Sequence, residues 1–195
     1  MNLRKYSWLF LTTLLIGGIG GILSGLLIGR EELLSGSLAN ILMGMLMNLL
    51  FGLTISVVAQ MGLFAYMTLN FLALSVLKSG SLWKSIQVFL ILFTFFDMVY
   101  LRYGTYSRGT SIWPYLIEPA LLLAIALVTA YAKVRLTHPG AWIPTLFFMF
   151  VVTAIEWIPG LRAQDAGSIM AMAVPLIFCN VWQVMHLHRV TKKES

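Results

Sequence analysis

The sequence predicts an all-α, polytopic integral membrane protein: a helix bundle with six transmembrane helices or, on a second count, seven. Three observations carry this. Of the 195 residues, 59% are hydrophobic and only 10% are charged, whereas soluble domains average about 25% charged. Mean hydropathy is +0.89. Apolar runs of about 18 residues or more, long enough to cross a bilayer, recur along the chain and leave little over for a soluble domain. Residues 1–195 therefore read as a single integral membrane domain.

The first run, in MNLRKYSWLFLTTLLIGGIGG, has a basic start and an apolar body, as a signal peptide would. It continues to Ile28 with no small-x-small cleavage site in a polar context, so it reads as an uncleaved first span, Ser7 to Ile28. On it Gly17, Gly21, Gly25 and Gly29 recur every four residues. That spacing lets another helix approach backbone to backbone, whether it comes from this chain or from a partner. Next comes Leu38 to Leu77, 40 residues without a charge. As one helix it would be about 60 Å long, twice the hydrocarbon thickness. It reads as two spans with a tight turn, or as one span plus a re-entrant or interfacial helix, with the break expected at "AQMG", residues 59–62. Asn48, Gln60 and Asn70 within it suit interhelical hydrogen bonds or, alternatively, a substrate path. The remaining spans are Trp83 to Tyr100, Trp113 to Tyr131, Ala141 to Trp157 and Ala166 to Met185.

The net charge of +6 reflects topology rather than a nucleic-acid footprint. Six crossings with a cytoplasmic N-terminus place Arg4, Lys5, Lys78, Lys84, Lys133, Arg135, Arg189, Lys192 and Lys193 inside. Arg30, Arg102, Arg108 and Arg162 then lie outside, a split of nine to four. Seven crossings from the same side reverse the bias, and seven from the opposite side export Arg4 and Lys5. The expectation is a multi-pass cell-membrane protein with both termini cytoplasmic. The basic tail HRVTKKES fits an anchor on anionic lipid headgroups.

Three acids fall within spans at one depth near the outer face: Asp97, in FDMVYLRYG, Glu118, in WPYLIEPALL, and Glu156, in AIEWIPGLR. Charged groups there find partners or face the interior. Asp97, Glu118 and Glu156, with Arg102 and Arg162 close in sequence, are thus expected to form a polar cluster at the outer mouth of the bundle. Its role is either structural ion pairing or a ligand site.

The single cysteine, Cys179, excludes an intramolecular disulfide and a thiolate metal site. His186 and His188 are two apart and do not share a helix face, so no metal site is expected. No H-E-x-x-H, G-x-S-x-G or phosphate-binding loop occurs. The expectation is a non-enzyme without cofactors.

Three segments carry a resemblance: SVVAQMGLFAYMTLNF (56–71), LWKSIQVFLILFTFFDMVYLRYG (82–104) and EWIPGLR (156–162). With them the chain resembles the KinB-signalling-pathway activator (KbaA) family of spore-forming bacilli over essentially its whole length. The resemblance implies a small membrane accessory protein that activates or supports a sensor histidine kinase of the KinB type, its partner within the lipid bilayer, which feeds the sporulation phosphorelay. The alternative reading is a small-molecule transporter or lipid-modifying protein that uses the outer acid/arginine cluster.

Overall fold

The computed structural model describes residues 3–28, 37–106, 111–162 and 165–191, and no strand forms among them. Gly29, Arg30, Glu31, Glu32, Arg108, Lys192, Lys193 and Glu194 lie outside the described residues. In chain order the elements are α1 (Leu3–Ile28), α2 (Leu38–Leu77), α3 (Gly80–Tyr106) and a 3-10 turn (Trp113–Leu116) leading into α4 (Ile117–Leu136). A second 3-10 turn (Pro139–Ala141) opens α5 (Trp142–Phe147), which passes through a π-helical turn (Phe148–Val152) into α6 (Thr153–Leu161). The last helix is α7 (Ala166–Thr191). Among the described residues, six of the resulting rods are long and apolar enough to cross a membrane, as expected of a multi-pass membrane protein.

The expected break at residues 59–62 does not occur: α2 runs unbroken for 40 residues. A polar residue beside a glycine ends a helix only where something rewards the loss of its hydrogen bonds. Here Ala59 is fully buried and the Gln60 amide donates to the Phe10 carbonyl of α1 at 3.3 Å. A helical glycine costs only about 1 kcal/mol, and Gly62 is needed for a close contact described below. The helix ends at Lys78, whose φ of 51° is left-handed and whose N–H reaches the Leu74 carbonyl at 3.2 Å. Ser79 then caps α3, its Oγ accepting the Leu82 N–H at 3.3 Å.

The chain forms two compact units, Met1–Met61 with Trp157–Ser195, and Gly62–Glu156. In the first, α1 is held from two sides. Toward α2, a β-carbon on Gly21 would stand 2.7 Å from the Gly52 Cα, and one on Gly17 would stand 2.7 Å from the Gly52 carbonyl oxygen and strike Ser56. Gly25 abuts Asn48. Gly17, Gly21 and Gly25 thus meet Asn48, Gly52 and Ser56, two four-residue repeats packed backbone to backbone. Toward α7, Gly20 lies against Pro175, the Cys179 thiol reaches the Thr13 carbonyl at 3.7 Å and the Trp182 indole donates to the Thr12 hydroxyl at 3.1 Å. His186 sits between Trp182 and Trp8, with ring centroids 4.0 and 5.6 Å away. Residue numbers fall along α1 as they rise along both neighbours, so both pairings are antiparallel. The outward side of α1 exposes Leu11, Leu15, Ile19, Leu23 and Leu27, a stripe at four-residue spacing suited to acyl chains.

The second unit has an aromatic core. Tyr66 packs on Phe147 and Phe148, and its hydroxyl donates to the Pro144 carbonyl at 3.3 Å. Trp83 meets Phe147 at 6.0 Å, and its indole donates to Asn70 Oδ1 at 2.9 Å, pinning α3 to the end of α2. Phe95 stacks on Phe150. Helix α4 carries Glu118 in its first turn and Lys133 and Arg135 in its last, the charge order that the helix dipole favours.

Candidate functional site

Helix α3 buries a stripe at four- and seven-residue spacing: Trp83, Gln87, Ile91, Met98 and Arg102. This stripe carries Arg102 inward near the end of α3. The 3-10 turn at Trp113–Leu116 starts α4 so that Glu118 lies in its first turn. The two side chains meet, Arg102 Nη2 donating to Glu118 Oε1 at 2.9 Å, with 11% and 21% of their side-chain surfaces exposed. A charge-assisted bond of this length, mostly withdrawn from water, is of the strong kind. Tyr103 and Tyr115 pack edge to face beside it, at 5.8 Å.

Asp97 does not take part in that pair. It lies half-buried on α3 with no hydrogen-bond or ion-pair partner among the described residues. The reason is angular: five residues at 100° each set Asp97 about 140° around the helix from Arg102, whereas neighbours on one face are three or four apart.

Glu156 is buried, at 8% exposure. Its carboxylate rests on the backbone of α2: a β-carbon on Gly62 would collide with Oε1, lie 2.6 Å from Cδ and come within 3.2 Å of Val152. Glu156 reaches this position from the turn that follows the π-helical segment, where the Thr153 hydroxyl bonds the Phe148 carbonyl at 3.4 Å. Arg162, exposed in the turn after α6, belongs to the other compact unit, where its N–H bonds the Ile158 carbonyl at 3.1 Å. Of the five residues, the structure therefore joins Arg102 with Glu118 and gives Glu156 its own seat on Gly62.

Of the second candidate set, Gly17, Gly21 and Gly25 face α2 of the same chain, and Gly29 lies outside the described residues. At Gly17 and Gly21 that face is buried against α2, while Gly25 is only partly covered.

Sequence reasoning passed over several enclosed polar residues. Gln87, Asn180 and Gln183 are fully buried, and Lys133 is 6% exposed. Gln87 was legible as a carboxamide spaced four residues from Trp83 and from Ile91, and Gln183 as a polar residue four positions after the buried Cys179. Outside the spans, Asp165 caps α7, its Oδ2 accepting the Ser168 N–H at 2.6 Å. That bond from the backbone holds its carboxyl below the usual carboxylate range.

Residues 15–190 match a family model, KbaA, described as KinB-signalling pathway activation in sporulation. A curated relative, the KinB-signaling pathway activation protein of Bacillus subtilis (strain 168), is 38% identical over 139 residues, which is 71% of this chain and 70% of the relative. No solved structure matches.

Proposed function

The chain belongs to the KbaA family, whose members act in KinB signalling during sporulation, and from that premise we propose that it is a non-enzymatic membrane accessory of a KinB-type sensor histidine kinase. The match across 15–190 carries the reading, because nearly the whole chain is described by it. The structure supports it in two ways. The matched length is spent on six membrane-crossing helices, leaving contact within the bilayer as the means of influencing a kinase. Gly17 and Gly21 of α1 are covered by α2, so such contact falls on lipid-facing surface such as the Leu11–Leu27 side of α1. The Arg102–Glu118 pair ties α3 to α4 as a fixed brace and supports a structural use of these charges over a transport path. Both termini face the cytoplasm in this reading, and the kinase feeds the sporulation phosphorelay.

The test is the autophosphorylation rate of the kinase in native membranes with and without this protein, at matched kinase levels. A higher rate with the protein present is expected. An unchanged rate at matched levels would refute activation and leave support of kinase folding as the accessory role.

A further inference from the structure

In the first compact unit, α1, α2 and α7 leave a cavity of about 640 Å3 beside Ile28, Asn40 and Asp165. Small residues open it, with Gly25 on α1, Gly44 on α2, and Gly167 and Ala171 on α7. Between them stand polar groups. Asn40 and Asn48 are eight residues apart on α2 with Gly44 midway, so both carboxamides share one face. Asn48 abuts Gly25 and makes no side-chain hydrogen bond among the described residues. Among the described residues, Asp165 contributes a charge to the lining, and no lysine, arginine or histidine lines the cavity. Capping Ser168 uses only part of its capacity, since an ionised carboxylate offers about four lone-pair sites. A further acceptor arises from the backbone. Pro175 lies inside α7 and has no N–H to give the Ala171 carbonyl one turn earlier, and Ala171 lines the cavity.

A roomy site whose described residues offer a carboxylate and several neutral acceptors but no cation suits a positively charged hydrogen-bond donor. We infer that this cavity binds a primary ammonium group, borne either by a small polar amine or by an ethanolamine phospholipid headgroup. Asp165 neutralises the charge, and the Asn40 and Asn48 carboxamide oxygens and the Ala171 carbonyl accept its N–H bonds. The site gives the protein an input of its own, and it stands or falls separately from the kinase reading because it is measured on the purified protein.

The experiment titrates the full-length protein in detergent micelles with ethanolamine, with short-chain phosphatidylethanolamine and with short-chain phosphatidylglycerol, following the thermal midpoint by circular dichroism. A ligand that binds the folded state raises the midpoint. The expected result is a saturable rise with an amine-bearing probe and none with phosphatidylglycerol. A rise with ethanolamine itself identifies the free amine as sufficient, and a rise with phosphatidylethanolamine alone identifies the headgroup. Asp165→Asn keeps a good N-cap while removing the charge and should weaken binding at least about tenfold, as loss of a charge-assisted bond does. Ala171→Phe fills the cavity without touching the cap and should abolish the rise. The inference is overturned if neither amine probe raises the midpoint, if phosphatidylglycerol raises it equally, or if Ala171→Phe responds like the wild type.

Discussion

The carboxylate of Glu156 occupies the space in which a β-carbon on Gly62 would stand. The two residues are 94 positions apart in sequence, and the absent side chain of one is the seat of the other. Gly62→Ala must push a buried carboxylate aside toward Val152, and overpacking of this kind costs about 1–3 kcal/mol. In a Glu156→Ala background the same substitution should cost clearly less. A double-mutant cycle on the unfolding midpoint checks this, and strictly additive effects would show that the two side chains do not compete for the space.

The Arg102–Glu118 brace should behave as a half-buried pair. Removing one partner, by Arg102→Met or Glu118→Leu, breaks the pair and is expected to destabilise by about 2–4 kcal/mol. The double replacement should recover most of that loss. Kinase activation by a stably folded double variant would confirm that the brace acts through stability. Abolished activation by a folded double variant would point to a direct role for these charges.

Two glycines of α1 that both face α2 should differ in tolerance. At Gly21 a β-carbon meets the Gly52 backbone at 2.7 Å, which cannot give way; at Gly18 it meets the end of the Leu49 side chain at 2.8 Å, which can rotate. Gly21→Ala should lower stability by about 2 kcal/mol or more and Gly18→Ala by about 1 kcal/mol or less. With Gly21→Leu, any loss of signalling should come with loss of folded protein, which quantitation of membrane-inserted protein beside the kinase assay would reveal.

Acid should loosen the start of α7. The Asp165 carboxyl is held down by the Ser168 N–H, so its pKa is lower folded than unfolded. The stability it contributes is fully present above the unfolded value of about 4 and is lost as pH falls through the folded value. The protection factors of the Ser168 and Ile169 amides, taken against the intrinsic exchange rate at each pH, should fall on acidification in the wild type. In Asp165→Asn this acid-dependent part should be absent.

The spans were legible because lipid permits one dominant signal, uninterrupted apolar length, and the glycine repeat of α1 because backbone contact demands small residues at one spacing. The continuity of α2 was not legible. Gln60 looked like a break because its acceptor, the Phe10 carbonyl, lies 50 residues away, and Gly62 looked like one because Glu156 lies farther still. Within the acid/arginine set, a shared depth suggested one cluster, but helical angle turns Asp97 away from Arg102, which meets Glu118. The cavity at Asp165 left no trace in any single segment, since its lining is divided among α1, α2 and the start of α7.

The π-helical turn at Phe148–Val152 acts as a phase element. It spends five residues where an α-helical turn would spend four, as the Thr153 backbone N–H donating to the Phe148 carbonyl marks. Deleting one residue within it would restore ordinary winding and rotate everything downstream by about 100°. Glu156 would then swing off Gly62 with its own sequence context intact. Insertions and deletions here therefore retune which side chains face inward, something that point substitutions in α6 cannot do one at a time.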